Sequence, residues 1–238
     1  QFTPPHDKGV TEEVMAITDL STVKTMGAQE AKAKGLYEII GAAIDDKYIA
    51  QVKAQVVNQG AIDRMQDQIT IVYTPLHGTG NIPARRVMKE LGFTHVYVVP
   101  QQELPDGDFP TVKNPNPEYK EGFYLAIDLA KKNDVDLIIG TDPDADRTGI
   151  VLKDKSGEYV TLSGNQVGVL LTDYIITAKK LTNTMPAHPA VLKSIVTTEM
   201  ARAAAEKNGV ACFDTFTGFK FLAEKIKQFE KDGSHEYI

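Results

Sequence analysis

Val135-Asp136-Leu137-Ile138-Ile139-Gly140-Thr141-Asp142-Pro143-Asp144-Ala145-Asp146-Arg147 says more about the architecture of this chain than any other segment. Its first half is a short β-branched and aliphatic run, too brief for a helix, that breaks at Gly140 into a loop carrying a carboxylate at every second position. A run of that kind reads as a buried strand of a parallel sheet, apolar on both faces. Loops at the carboxyl ends of such strands are where open α/β sheets bind ligands. Three carboxylates within five residues repel one another unless a cation sits among them. Alternation along an extended loop turns all three toward one point, and their hard oxygens suit Mg²⁺, Mn²⁺ or Ca²⁺. Arg147 beside them has the planar fork that holds a phosphate bidentately.

Other readings of the loop stand beside this one. A solvated acidic turn is the plainest. An EF-hand is disfavoured, because Arg147 stands where the sixth-position Gly belongs and Lys153 where the bidentate Glu belongs. Asp144-Ala145-Asp146-Arg147-Thr148 also fits the aspartate-nucleophile pattern of the haloacid dehalogenase superfamily. There the nucleophile directly follows the strand, whereas here Thr141, Asp142 and Pro143 intervene.

Outward from the loop, helix and strand signals alternate. Residues 69–73 read as a strand, followed by the Gly-rich turn Thr74-Pro75-Leu76-His77-Gly78-Thr79-Gly80 and a helix that Pro83 opens and Gly92 ends. A strand at 95–99, a long loop and a helix at 117–132 complete a βαβαβ run. Downstream, 148–153 and 159–162 read as strands around Asp154-Lys155-Ser156-Gly157. Helices at 165–181, 198–208 and 219–231 then alternate with strands at 191–197 and 210–213. The expectation is two successive three-layer α/β domains with mostly parallel mixed sheets, the second truncated. Residues 1–46, with one amphipathic stretch at 29–44, belong to something upstream; 47–154 form the first domain and 155–238 the second. The chain opens at Gln1 without a Met and stops in the apolar run Glu236-Tyr237-Ile238, which suggests a piece of a longer protein.

Composition narrows the classes of function. With 42% apolar and 24% charged residues the chain is a globular domain protein. Its net charge of −6 gives no global field for nucleic acid or an anionic membrane. The longest apolar stretch, 167–178, is interrupted by Thr172, Asp173 and Tyr174, so no membrane span is expected. Cys212 is the only cysteine, which excludes an internal disulfide and points to a reducing, cytoplasmic home.

Four segments together carry a family resemblance. Thr141 to Arg147 is similar to the metal loop of the α-D-phosphohexomutases, the phosphoglucomutase and phosphomannomutase family. The turn Thr74 to Gly80 resembles the opening turn of that family's second domain in its bacterial phosphoglucomutase form. Phe109-Pro110-Thr111-Val112-Lys113-Asn114-Pro115-Asn116-Pro117-Glu118 resembles the loop before the next helix, and Asp214-Thr215-Phe216-Thr217-Gly218-Phe219-Lys220 the third domain's sugar-contact segment. The resemblance implies that Asp142, Asp144 and Asp146 bind Mg²⁺ and that Arg147 lies near a phosphoserine. It also implies that Thr217, Gly218, Phe219 and Lys220 contact a phosphorylated hexose. The implied reaction interconverts glucose 1-phosphate and glucose 6-phosphate through glucose 1,6-bisphosphate; a phosphomannomutase of the same family, or a non-catalytic metal and sugar-phosphate module, are the alternatives.

The chain departs from the family pattern: no Thr-Ala-Ser-His-Asn-Pro segment, the phosphoserine signature, occurs in it, and the family's Glu-Glu-Ser sugar loop, expected soon after Ile238, and its C-terminal phosphate-binding domain are missing as well. The expected partners are therefore the missing domains of the same chain, and the chain by itself is expected to be inert. Lesser candidates read structurally: His77 as a hydrogen-bonded turn residue, Gly78 and Gly80 as a turn near the cleft, Lys113 as a solvated loop residue, Arg85 and Arg86 as an exposed helix face.

Overall fold

The acidic loop leaves the middle strand of a five-stranded sheet in the computed structural model, which describes residues 4–238. Before the sheet come helices α1 (His6–Ala16), α2 (Ala28–Ala33), α3 (Gly41–Lys53) and α4 (Gln59–Met65). The first unit then runs β1 (Thr70–Thr74), α5 (Asn81–Glu90), β2 (His95–Val98), α6 (Tyr124–Asn133), β3 (Leu137–Thr141), β4 (Thr148–Lys153) and β5 (Tyr159–Leu162). Its strand order is β2-β1-β3-β4-β5, with β1 parallel to both neighbours and β4 and β5 antiparallel. The second unit runs α7 (Gly164–Leu181), β6 (Pro189–Ser194), α8 (Glu199–Lys207), β7 (Ala211–Thr215), α9 (Phe219–Asp232) and β8 (Glu236–Tyr237). Its three strands are all parallel, in the order β7-β6-β8.

Strand alternation sorts side chains onto two layers. Val72, Ile138 and Val151 face α6 and pack with Phe123, Ala126, Ile127, Ala130 and Val135 into the first core. Tyr159 enters this core from β5, and its hydroxyl is satisfied by donating to the Val135 carbonyl at 2.8 Å. On the opposite face Tyr73 and Ile139 lie against α5 and α3, around a cavity lined also by Tyr48, Val52 and Val87. In the second unit Ile176, Ala205 and Val210 form a smaller core with Val191 and Cys212. Phe213, one residue on, turns to the other face and meets Phe229 of α9 edge-on at 5.2 Å. Helices thus cover both faces of each sheet. Among the described residues no helix is long and apolar enough to cross a membrane.

Several expectations shift. The division placed between 154 and 155 falls inside the first sheet, because β5 pairs with β4 from Ile150↔Leu162 to Lys153↔Tyr159. The second unit opens instead at Ser163, whose side chain and Gln166 form a reciprocal capping box on α7. The amphipathic stretch at 29–44 is not one helix: α2 stops at Ala33, Gly35 takes φ +68°, and α3 begins only at Gly41. The strand expected over 191–197 ends at Ser194, leaving Ile195 and Val196 exposed in a loop.

Candidate active site

Strands β1 and β3 are neighbours, yet the chain leaves β1 toward β2 on the other side. Their carboxyl ends therefore form a topological switch point, where a crevice opens. The turn after β1 and the acidic loop after β3 meet there backbone to backbone. A Cβ on Gly78 would lie 2.3 Å from Pro143 Cα and 2.5 Å from its carbonyl oxygen, so only glycine allows this approach. Thr79 fastens the same carbonyl, donating from its backbone N–H at 2.8 Å and its hydroxyl at 3.1 Å. Within the loop Ala145 donates its N–H to the Asp142 carbonyl at 3.0 Å and takes φ +59°. That kink brings one carboxylate oxygen of each of Asp142, Asp144 and Asp146 within 4.8 Å of the others.

Electrostatics divides the three carboxylates. Asp142 is fully buried, while Asp144 and Asp146 are exposed. Burial pushes the Asp142 carboxyl up. The backbone N–H of Arg147 at 3.0 Å and its guanidinium Nε at 2.7 Å outweigh that and hold it below the ordinary carboxylate range. Asp146 is raised, first by the neighbouring Asp142 carboxylate, with burial and Asp144 adding to it. Three oxygens on one Mg²⁺ at 2.0–2.1 Å are at most about 4.2 Å apart, so small side-chain rotations close this set. Asp142 can serve Arg147 and a cation together, since each carboxylate oxygen has two lone pairs. The all-oxygen donor set fits a hard divalent ion.

Across from this loop lies an open cleft of about 530 Å³. Asp146 and Arg147 form one wall; Lys193, Ser194, Thr197, Thr217, Gly218 and Phe219 stand in the other. Gly218 adopts φ +127°, ψ 138°, a conformation essentially reserved for glycine, and caps α9. Lys220 does not join the wall: its ammonium lies 3.5 Å from Asp7 of α1. The expected Thr217, Gly218 and Phe219 are thus brought to the cleft with Arg147 and Asp146, whereas Lys220 is directed away.

The remaining candidates take structural places. His77 is buried, with Nδ1 3.2 Å from the Leu104 carbonyl and Nε2 2.8 Å from the Thr111 hydroxyl. The Leu104 carbonyl can only accept, so Nδ1 donates to it, and Nε2 pairs with the Thr111 hydroxyl. Thr111 in turn accepts from the buried Gln102 amide at 3.1 Å, and Gln102 accepts from Thr74 at 2.7 Å. His77 is thereby spoken for as part of a closed chain beneath the turn. Lys113 is exposed, Arg85 pairs with Glu103, and Arg86 bridges Asp46 and Glu90.

Sequence reasoning passed over Lys193. It is 5% exposed in the cleft wall, held by Asp214 at 2.8 Å, Glu199 at 2.8 Å and the Thr197 carbonyl at 3.2 Å. The available signal was a single lysine inside the apolar strand Pro189-Ala190-Val191-Leu192-Lys193.

Comparison with known proteins places the two units in one family. Residues 46–157 match the model of phosphoglucomutase/phosphomannomutase alpha/beta/alpha domain II, and residues 163–234 that of alpha/beta/alpha domain III of the same family. A phosphoglucomutase of Staphylococcus aureus (strain MRSA252) is 35% identical over 188 residues, 79% of this chain and 32% of its own length. The chain therefore spans about a third of the curated relatives it matches. In fold it is similar to a putative phosphomannomutase of Thermus thermophilus, with TM-score 0.59 at 22% identity over 81% of this chain and 39% of that one. A phosphoglucomutase/phosphomannomutase family protein of Burkholderia thailandensis gives TM-score 0.58 at 19% identity, over 78% and 36% respectively. The chain belongs to the phosphoglucomutase/phosphomannomutase family, of which it carries the second and third α/β/α domains.

Proposed function

We propose that these residues form the metal-binding and sugar-phosphate-binding half of a cytoplasmic phosphoglucomutase, which interconverts glucose 1-phosphate and glucose 6-phosphate. The observation that carries this reading is the acidic loop and Arg147 facing the Thr217-Gly218-Phe219 turn across one cleft. Asp142, Asp144 and Asp146 would hold Mg²⁺, which supplies charge neutralisation for a phosphoryl group in transit. Arg147 keeps Nε on Asp142 and so presents the outer edge of its guanidinium to the cleft, where it can bind phosphate oxygens. The backbone N–H groups that open α9 suit sugar hydroxyls or an anion. In the proposed sequence a phosphoserine supplied from outside these residues passes its phosphoryl group to the free hydroxyl of the hexose phosphate. The resulting glucose 1,6-bisphosphate returns its other phosphoryl group to the serine, so phosphate is conserved over the cycle.

Glucose rather than mannose is favoured by the 35% identity to a phosphoglucomutase. An aspartyl phosphotransferase using Asp144 is the competing chemistry. The contest is decided by a coupled assay of this chain alone with glucose 1-phosphate, a trace of glucose 1,6-bisphosphate and Mg²⁺. No turnover is expected; turnover abolished by Asp144→Asn would replace the phosphoserine reading with the aspartyl one.

A further inference from the structure

We infer that Lys193 is a positioning residue for the Thr217-Gly218-Phe219 turn, acting by locking the ends of β6 and β7 together rather than by touching a ligand. The inference rests on the reading above of that turn as the sugar-phosphate side of the cleft.

A buried lysine in the wall of a cleft proposed to bind phosphate invites the view that it binds the phosphate itself. Donor arithmetic argues otherwise. An ammonium has three N–H bonds, and three acceptors already surround Lys193: Asp214 Oδ1, Glu199 Oε1 and the Thr197 carbonyl. Nothing is left to offer a ligand. The two carboxylates are shared in turn with Arg202 of α8, whose Nε binds Glu199 Oε2 at 2.8 Å and whose Nη2 binds Asp214 Oδ2. Each carboxylate thus spans both cations with separate oxygens, closing a ring Lys193–Glu199–Arg202–Asp214. Two positive and two negative groups leave it formally neutral, so it adds geometry to the cleft and little field.

The ring's members sit where geometry is needed. Lys193 lies on β6, Asp214 on β7 and Glu199 in the first turn of α8, and Arg202 also takes the Cys212 carbonyl at 2.7 Å. Three residues beyond Asp214 the chain enters Thr217 and Gly218, the latter in a glycine-only conformation. The β6–β7 ladder runs through Lys193↔Asp214 to Ser194↔Thr215, and just past it Ile195 donates to the Thr215 carbonyl at 2.9 Å. Among the described residues no acceptor within the fold takes the N–H of Thr217 or Gly218. Beyond that ladder the turn has no backbone bond to a neighbouring strand among these residues, and the ring is the side-chain clamp that ties the strand end it hangs from to β6 and α8.

The test uses the 238-residue chain in three forms: wild type, Lys193→Met and Lys193→Arg. Glucose 6-phosphate is titrated in the presence of Mg²⁺ and followed by amide shifts, with ¹⁵N order parameters at Thr217, Gly218 and Phe219 measured before ligand is added. Lys193→Met should weaken binding about tenfold, the scale of one misaligned charge-assisted hydrogen bond. It should also drop the turn's order parameters from about 0.85 toward 0.6, while those of β1 and α7 hold. Lys193→Arg, whose fork spans the same two carboxylates, should recover most of both. Wild-type affinity and wild-type order parameters in Lys193→Met overturn the proposal. If the wild-type chain shows no shift at the turn, it is the sugar-phosphate reading that falls, and the order parameters alone then decide the role of Lys193. Should Lys193→Met fail to fold, Asp214→Asn removes one acceptor while Arg202 still holds Glu199. A rigid turn in that variant counts against the ring and a loosened one for it.

Discussion

Replacing Gly78 with alanine probes the join between turn and acidic loop more directly than any change to the carboxylates. The new Cβ would stand 2.3 Å from Pro143 Cα, 2.5 Å from its oxygen and 2.7 Å from its carbonyl carbon. Carbon atoms rest at about 3.5 Å, so the two backbones must part by roughly 1.2 Å. Both sides of the clash are main chain, and no side chain can swing away. The 2.8 Å bond from Thr79 N–H to Pro143 would stretch to about 4 Å and be lost, costing about 1 kcal/mol. Overpacking adds about 1–3 kcal/mol. Together these predict a Tm drop on the order of 10 °C for the first unit. The same shift of roughly 1.2 Å is large beside the tolerance of about 0.5 Å in a working site. Affinity for Mn²⁺, a spectroscopically visible stand-in for Mg²⁺, should therefore fall about tenfold by titration calorimetry. Gly107→Ala, where an added Cβ meets nothing within 4 Å, is the control. A Gly78→Ala chain that melts and binds Mn²⁺ like wild type would refute the contact between turn and loop.

Asp144→Asn touches an exposed carboxylate outside the Asp142–Arg147 pair, so stability should stay within about 0.5 kcal/mol while Mn²⁺ affinity drops about tenfold; loss of stability without loss of affinity would count against the metal assignment. Thr111→Val keeps the side-chain shape but strands His77 Nε2 and the Gln102 amide, and should cost about 1–3 kcal/mol in a urea titration. Asp136 accepts the Thr70 backbone N–H and hydroxyl at 3.0 and 2.8 Å, and these bonds, the backbone one foremost, hold its carboxyl below the ordinary value. A depressed carboxyl stabilises the fold above its unfolded value, about pH 3.9, and loses that contribution as pH falls through the lower folded value. Asp136→Asn should thus cost about 1 kcal/mol at pH 7 and flatten the acid limb below about pH 4 in a stability–pH series.

What could be read from sequence followed the range of the forces involved. Strands such as Leu137–Thr141 and Thr148–Lys153 are set by their own apolar alternation, and helix ends by neighbouring Pro, Gly and Ser, so those elements were legible. The acidic loop was legible because clustered like charge is unfavourable wherever the chain goes. The assignment of β5 was not. Asp154-Lys155-Ser156-Gly157 has the composition of an interdomain turn, but Asp154 Oδ1 accepts from Ser156 N, Ser156 Oγ and Glu158 N and makes a tight hairpin of it. Lys193 was not legible for a different reason: a lone strand lysine looks like a solvated edge until Glu199 and Asp214 arrive from α8 and β7. Lys220 shows the converse, since its place at the head of α9 follows from sequence while the direction of its side chain does not.

The cleft's two walls differ in a way that bears on how a phosphorylated ligand is received. On one side three carboxylates against one guanidinium leave the loop with a formal excess of negative charge before any cation joins it. On the other, the Lys193 ring is neutral, Lys220 is turned toward Asp7, and what lines the cleft is Ser194, Thr197, Thr217 and the backbone at Gly218. A hexose phosphate, itself an anion, meets repulsion from the first wall and only dipoles on the second. A divalent ion among Asp142, Asp144 and Asp146 removes that repulsion and frees Arg147 from being the loop's sole counter-charge, so metal and sugar phosphate should bind with positive coupling. By reciprocity the sugar phosphate should then raise Mn²⁺ affinity by the same factor that Mn²⁺ raises its own. Two calorimetric titrations in opposite order measure both sides of that equality. Coupling absent in both would mean that the two walls do not share one ligand.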